Sequence, residues 1–451
     1  MPKTYTKYVC QQCGGQYPSE YGRCPGCGAW ESLVETVDRP DIGRTRQAAR
    51  GGDGPQPLAA VENLGHRRLK LPLDEFNRVL GGGIVPGSLI LLGGDPGIGK
   101  STLLLQISNV AAHSSGPVLY VSGEESAEQV KLRADRLGAI APDLFILAET
   151  DIDAILDHAA RLKPALLVVD SIQTMHTAEM DSPAGSVGQV RESTARLTRL
   201  AKNLGIGTFL VGHVTKDGNL AGPKVLEHMV DAVLYLEGDH YHAYRLLRCV
   251  KNRFGPSFEV GVFDMQDSGL TEVSNPSSVF LAEREAVAGS VVAVTLEGSR
   301  PMLVELQALV SPSHYGLPRR TANGIDLNRL LLLTAVLGKR ARLSLGTQDV
   351  YVNVVGGMRL NEPAVDLASS LAIASSLTDA AIRDVVVIGE VGLGGEVRSV
   401  GQIRQRVAEA RKLGFERCMV PERNRSQLAD QVGIIGVSTL NGALEAVGCK
   451  P

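Results

Sequence analysis

From about Val61 to Asn275 the chain alternates short apolar runs with longer segments of mixed polarity that have room for helices. Ser88–Gly93, Val118–Ser122, Ala165–Val169 and Gly207–Gly212 are each strand-length, rich in Val, Leu, Ile, Tyr or Phe, and end in glycine or polar residues. Strands that alternate with helical segments predict a mostly parallel sheet covered on both faces, an α/β unit whose ligands sit at the carboxyl ends of its strands. A second α/β pattern begins near Ser278, with strands over Gly289–Leu296, Met302–Val310, Val350–Val355 and Val385–Ile388 and a leucine-faced helix over Asp326–Lys339. After Val37 the apolar period disappears into Asp, Arg, Pro and Gly, the composition of a linker. The pattern divides the chain into a small front module (1–36), a linker (37–60), a first α/β domain (61–275) and a second (276–451).

A chain of 451 residues exceeds one ordinary core and fits two or three domains. With 46 basic and 49 acidic residues the net charge is −3, so bulk charge does not mark a polyanion binder. The basic residues are clustered, however: Arg39 through Lys70, then Arg191/Arg196/Arg199/Lys202, Arg245/Arg248/Lys251/Arg253 and Arg319/Arg320. Such clusters are solvated faces or contacts to phosphates. No apolar stretch reaches membrane-spanning length and the first residues lack a signal-peptide layout, so a cytoplasmic protein without membrane contact is expected.

The chemistry begins at Gly94, Asp95, Pro96, Gly97, Ile98, Gly99, Lys100, Ser101 and Thr102, a complete G-x-x-x-x-G-K-S/T loop. It lies between the apolar run Leu89–Leu92 and the helical Leu103–Leu105, the strand–turn–helix context that such a loop requires. Glycines allow backbone N–H groups to curl around phosphates, and the helix N-terminus favours the anion. Lys100 is placed to bridge β- and γ-phosphates and Ser101 to offer its hydroxyl to Mg²⁺, so the chain is expected to bind ATP. The strand ending at Asp170 suits a Walker B carboxylate that orients water on Mg²⁺. Glu124 and Glu125 end a neighbouring strand; Glu124 is favoured as the positioner of the attacking water. Either also suits the first turn of the following helix.

Seven cysteines include Cys10, Cys13, Cys24 and Cys27, two C-x-x-C pairs ten residues apart on glycine-bearing turns. That spacing brings four thiolates to the corners of a tetrahedron, a structural Zn²⁺ site with no open coordination position. A module this small would draw much of its folding free energy from the metal. Contact with DNA or with protein is equally open to it.

Leu80-Gly-Gly-Gly-Ile-Val-Pro-Gly-Ser88, the phosphate loop, Tyr120-Val-Ser-Gly-Glu-Glu125 and Leu167-Val-Val-Asp170 resemble the RecA-type ATPase core. With Lys251-Asn-Arg-Phe-Gly255 and the cysteine ribbon in front, the whole chain resembles the RadA (Sms) family of bacterial DNA repair proteins. The resemblance implies a homohexameric ring ATPase and helicase that binds single-stranded and branched DNA, works beside a RecA-type recombinase in homologous recombination, and drives branch migration. It also implies that Glu124 polarises water and that the Lys251–Gly255 motif takes part in ATP-dependent DNA binding. At His213, nucleotide state would couple to DNA loops over Glu179–Gln189 and Val214–Val225, which read as mobile. His213 equally suits a packed strand terminus. Lys251 and Arg253, two apart in an extended segment, point to one side and are placed to reach a neighbouring subunit's γ-phosphate.

The last domain resembles the Lon protease domain, which uses a Ser nucleophile and a Lys base. The matching positions hold Ala364, in Glu362-Pro-Ala-Val-Asp366, and Arg404, in Gly401-Gln-Ile-Arg-Gln-Arg406. Alanine has no nucleophile and arginine stays protonated, so proteolysis is rejected and a scaffolding domain is expected. Arg319, Arg320, Lys339, Arg340 and Arg342 suit a DNA channel or a solvated face.

Overall fold

The computed structural model describes residues 5–30, 32–38, 57, 68–212, 225–238, 244–313 and 317–449. The chain separates into two compact units, Met1–Glu272 and Val273–Pro451.

The first unit begins with a small antiparallel sheet of β1 (Tyr5–Cys10), β2 (Gln16–Tyr17) and β3 (Leu33–Asp38), in the order β2-β1-β3. There follow α1 (Asp74–Val79), β4 (Leu89–Gly94), α2 (Lys100–Ser115), β5 (Val118–Ser122), α3 (Ala127–Arg136), β6 (Leu144–Ala148), α4 (Ile152–Leu162), β7 (Leu166–Asp170), α5 (Val187–Leu204), β8 (Gly207–Val211) and α6 (Val225–Met229). Strands β9 (Ala232–Gly238), β10 (Tyr244–Asn252), β11 (Val260–Gln266) and β12 (Gly269–Glu272) complete a nine-stranded sheet, ordered β12-β11-β10-β9-β4-β8-β7-β5-β6.

The six strands from β9 to β6 are parallel, joined largely by helical crossovers; β10 to β12 extend the sheet antiparallel. Period-two alternation divides the core. Ile90 and Leu92 pack on one face with Leu103, Leu104 and Phe209, while Leu89 and Leu91 pack on the other with Ile155, Leu197 and Leu210. Both faces are covered, which is why β4, β5 and β8 are apolar runs with every residue buried. Ser126 with Gln129 forms a capping box on α3, and Asp151 and Ser186 cap α4 and α5. The antiparallel extension is tied to α2 by Gln106, whose amide donates to the Leu270 carbonyl and accepts from the Leu270 N–H.

The expected loop Glu179–Gln189 is shorter than its composition suggests. Helix α5 already begins at Val187, and Gln189 is a buried helical residue. Its side chain accepts from the Thr177 N–H and donates to the carbonyls of Thr177, Met180 and Ser182, so the loop is pinned by backbone hydrogen bonds. His213 and residues 214–224 lie outside the described residues, as do residues 39–56 and 58–67 of the expected linker and the start of the first α/β domain.

The second unit contains α7 (Pro276–Phe280), β13 (Ser290–Glu297), β14 (Arg300–Pro312), β15 (Arg320–Asn323), α8 (Leu327–Arg340), β16 (Gln348–Val354), α9 (Asp366–Thr378), β17 (Val385–Val387), β18 (Glu390–Val391), β19 (Val397–Arg398), α10 (Ile403–Lys412), β20 (Arg417–Pro421), α11 (Glu422–Arg425), β21 (Ile434–Val437) and α12 (Leu440–Ala446). Its main sheet runs β15-β16-β14-β13-β17-β20-β21. Asp326 caps α8 through the Arg329 N–H. Ala364 is buried, and Arg404 lies on the surface beside Asp430. The arginine that meets the Glu362–Ala364 segment is instead Arg406, completely buried, which pairs with Glu362 and donates to the Val294 and Gly401 carbonyls. Ser369 is no substitute nucleophile: it is buried and its hydroxyl donates to the Val365 carbonyl one helical turn back. Among the described residues no helix is long and apolar enough to cross a membrane.

Arg406→Ala removes the cationic partner of Glu362 and leaves that carboxylate to neutral donors, the Leu296 N–H and the Thr295 hydroxyl. We expect the second unit to lose about 3 kcal/mol of stability in urea unfolding followed by circular dichroism; an unchanged midpoint would contradict the assigned role.

Candidate active site and metal centre

The phosphate loop joins β4 to α2 and holds its shape through backbone angles available to glycine. Gly94, Gly97 and Gly99 all have positive φ, and a Cβ on Gly94 would meet the Leu236 carbonyl at 2.5 Å. Gly99 caps the sixteen-residue α2 without any side-chain hydrogen bond, leaving the first N–H groups of that helix to an anion. Lys100 is 4% exposed, and its ammonium donates to the carbonyls of Gly94 at 2.8 Å and Asp95 at 2.9 Å. Burial lowers its pKa from the ordinary lysine value, and the negative charges of Asp170, Asp95 and Glu124 offset part of that effect.

Parallel pairing of β5 with β7 sets Ser122 beside Asp170 and carries the following Glu124 to the same crevice. Asp170 accepts a 2.6 Å hydrogen bond from the Tyr120 hydroxyl, whose pKa stands well above the ordinary phenol because of burial and then of the Asp170 charge. Tyr120 is therefore a fixed donor. Glu124 accepts from the Ser171 hydroxyl at 2.7 Å. Glu125 is turned elsewhere, into an ion pair with Arg133 of α3 and a reciprocal turn with Ser122. The two neighbouring glutamates thus have different surroundings, and Glu124 is the one beside the Walker-type strand end. Tyr120 and Ser171, which position the two carboxylates, were not singled out from sequence; both lie within or next to the motifs that were.

Glycine loop, uncapped helix, buried lysine and converging carboxylates fit a magnesium–triphosphate. Lys100 and the loop N–H groups would hold the phosphates, and Ser101 with Asp170 would serve the Mg²⁺ side.

Lys251 and Arg253 lie away from this loop, at the far end of β10 and just beyond it. A bulge between Cys249 and Lys251 turns both cations toward the end of α6. Lys251 donates to the carbonyls of Glu227 at 2.6 Å and Val230 at 2.9 Å, while Arg253 pairs with Asp231 at 3.3 Å. Burial followed by the nearby Arg253 charge lowers the Lys251 pKa. The motif also meets the Leu80–Ser88 segment: Asn252 and Arg68 both donate to the Leu80 carbonyl, and Arg68 also reaches the Phe254 carbonyl.

Several of the other basic groups are satisfied within the chain. Arg196 pairs with Asp153, Glu179 and Glu192, and Arg320 donates to the Gln348 and Leu345 carbonyls. Arg245, one of a cluster that suggested a solvated face, is buried and donates through Nε to the Ile98 carbonyl of the phosphate loop at 3.3 Å.

In the front module, the N–H of Gly14 closes on the Cys10 carbonyl and that of Gly28 on the Cys24 carbonyl, each glycine at positive φ. These turns bring the four sulfurs within 4.8 Å of one another, with Cys10–Cys27 and Cys13–Cys24 each at 3.6 Å. A tetrahedral Zn²⁺ with Zn–S of about 2.3 Å needs S···S of about 3.8 Å, so the donor set fits.

An AAA-domain family model matches residues 55–219, a rubredoxin metal-binding model residues 8–35, and a model of the Lon protease C-terminal proteolytic domain residues 340–442. The molecule is a P-loop ATPase with a RecA-type core, an N-terminal zinc ribbon and a Lon-like C-terminal domain. The chain is 52% identical to DNA repair protein RadA of Halalkalibacterium halodurans over 99% of both chains. It is 52% identical to that of Bacillus subtilis, over 98% of this chain and 99% of the relative, and 49% identical to that of Listeria monocytogenes over 98% of each. It belongs to the RadA family of DNA repair proteins. Among solved structures, a KaiC-like protein from Pyrococcus horikoshii aligns with a TM-score of 0.39 and 22% identity, over 46% of this chain and 99% of that one.

Two expectations follow. Tyr120→Phe removes the donor to Asp170, and steady-state ATPase should show kcat reduced severalfold with the fold retained; unchanged turnover would mean that this hydrogen bond does not position Asp170. Cys27→Ser should release the metal, read by elemental analysis of the purified chain; undiminished zinc content would exclude the four-sulfur site.

Proposed function

We propose that the chain is an ATP-driven DNA motor of homologous recombination, a homohexameric ring helicase that loads on single-stranded DNA and promotes branch migration and strand extension. Its partners are branched DNA intermediates and a RecA-type recombinase, and its compartment is the cytoplasm. The observation that carries the proposal is the convergence of Lys100, Glu124 and Asp170 on one crevice in a chain related to RadA from end to end.

In this scheme the loop Gly94–Thr102 binds the triphosphate and Lys100 holds the charge of the β- and γ-phosphates. Mg²⁺, when bound, neutralises phosphate charge, with Ser101 and Asp170 on its side of the site. Glu124, oriented by Ser171, positions the attacking water. Lys251 and Arg253 complete the site of the adjacent subunit, which requires them to leave the α6 carbonyls and Asp231 that they hold within their own chain. We assign residues 1–36 to the zinc ribbon, 37–60 to the linker, 61–275 to the ATPase domain and 276–451 to a proteolytically inactive Lon-like domain. The loss of proteolysis is supported by Ala364 and by the Arg406–Glu362 pair beside it.

A second class, an ATP-gated DNA clamp without translocation, would use the same site. The pinned loop over 179–186 favours it to the extent that DNA contacts there need motion.

ATPase should rise on addition of single-stranded DNA and vanish in Lys100→Ala. Peptide cleavage in place of DNA stimulation, or turnover retained in Lys100→Ala, would overturn the proposal. Mixing Lys100→Ala chains with Arg253→Ala chains should restore part of the activity that each lacks alone. Absence of complementation would remove the role across the subunit boundary.

A further inference from the structure

Arg245 sits on β10, two strands away from β4, and carries a charge that is 7% exposed. A guanidinium is expensive to bury, so its hydrogen-bond partners show what it is there to hold. One is the carbonyl of its neighbour Tyr244, through Nη1 at 2.9 Å; another, through Nε at 3.3 Å, is the carbonyl of Ile98 in the middle of the phosphate loop. The side chain reaches the loop across β9, where a Cβ on Gly238 would meet the Arg245 Cδ at 2.6 Å. The glycine at 238 clears its path.

The consequence comes from the planarity of the peptide. In a trans peptide the C=O of one residue and the N–H of the next point in opposite directions. Holding the Ile98 carbonyl toward β10 therefore aims the Gly99 N–H the other way, into the concave side of the loop where phosphate oxygens bind. Gly99 has φ of +112° and a Cβ there would meet the Met265 methyl at 2.5 Å, so this peptide is confined on the β10–β12 side by contacts as well as by the hydrogen bond. Loss of the outside donor removes the hydrogen bond that holds the Ile98 carbonyl toward β10, and any turn of that carbonyl toward the phosphates would replace an attractive N–H by a repulsive oxygen.

We propose that Arg245 is a positioning residue for nucleotide binding: it fixes the Ile98–Gly99 peptide so that the Gly99 N–H points at the phosphates. The inference rests on the phosphate-loop assignment. It predicts a ground-state and transition-state effect of equal size, because the phosphate is held in both.

The test uses the full chain with zinc bound, measuring ATPase KM and kcat, thermal melting and metal content. Arg245→Met keeps the apolar stem and removes every donor. KM for ATP should rise about tenfold, as expected for loss of one charge-assisted hydrogen bond, with kcat within about twofold of the parent. Arg245→Lys retains a donor and should recover most of the KM. An unchanged KM in a folded Arg245→Met chain overturns the inference. So does a fall in kcat and melting temperature with KM unmoved, the pattern of a merely structural arginine. If Arg245→Met does not fold, Arg245→Gln and Arg245→Thr decide together: the Gln amide still donates and should keep KM near the parent, the Thr hydroxyl is too short to reach Ile98 and should raise KM about tenfold, and equal KM values in the two refute the inference. Lys100→Ala run alongside separates the two levels. Turnover retained in Lys100→Ala removes the phosphate-loop assignment itself, whereas its loss with a silent Arg245→Met removes the positioning role alone.

Discussion

The buried ammonium of Lys100 is the constraint around which the ATPase unit is arranged. A cation with 4% exposure must be compensated on every side, and here two loop carbonyls take its protons while Asp170, Asp95 and Glu124 supply negative potential. Those carboxylates arrive from different strands and can do so only because β4, β5 and β7 are parallel and end at the same edge. The fully apolar strands, the two-faced core and the helical crossovers all serve to deliver a few polar atoms to that edge. In the proposed scheme a triphosphate would take over the compensation that the loop carbonyls provide, turning the cost of that burial into phosphate affinity.

The antiparallel extension β10–β12 makes the sheet more than a nucleotide cradle. One end of β10 holds the outside of the phosphate loop through Arg245; the other leads into Lys251 and Arg253, which grip the end of α6. Helix α6 follows the segment where DNA contacts were expected. A single strand thus touches the nucleotide loop and the K-N-R-F-G motif, with Gln106 bracing the same extension against α2. In the C-terminal unit, Ala364 is buried where the sequence match to a protease would place a nucleophile, and two residues before it Glu362 is paired with the buried Arg406.

What could be read from the sequence was local. The phosphate loop, the paired cysteines and the strand ending at Asp170 depend on residues close in the chain, and their fold context follows from hydrophobic period. Glu124 was favoured over Glu125 on position alone; the physical difference between them is Arg133, eight residues from Glu125 on α3, which pairs with Glu125. Arg245 looked like part of a solvated cluster because charge spacing along a strand does not reveal what lies across the sheet. Gln189, a polar residue near loop-like composition, proved to be the buried clamp that orders the loop over 179–186. Arg404 occupied the expected position in a motif, yet the helix turns it outward and brings in Arg406 two residues later. In each case the missing information was the identity of a partner distant in sequence or on the other side of a helix.

The direct measurement is strand displacement from a forked DNA, with the single-stranded arm on either polarity, with and without a RecA-type filament. A motor fuelled at Lys100 separates one polarity of fork with ATP, and stops with a non-hydrolysable analogue or in Lys100→Ala. ATP-gated binding of the fork with no displacement on either arm would contradict a motor and leave the clamp.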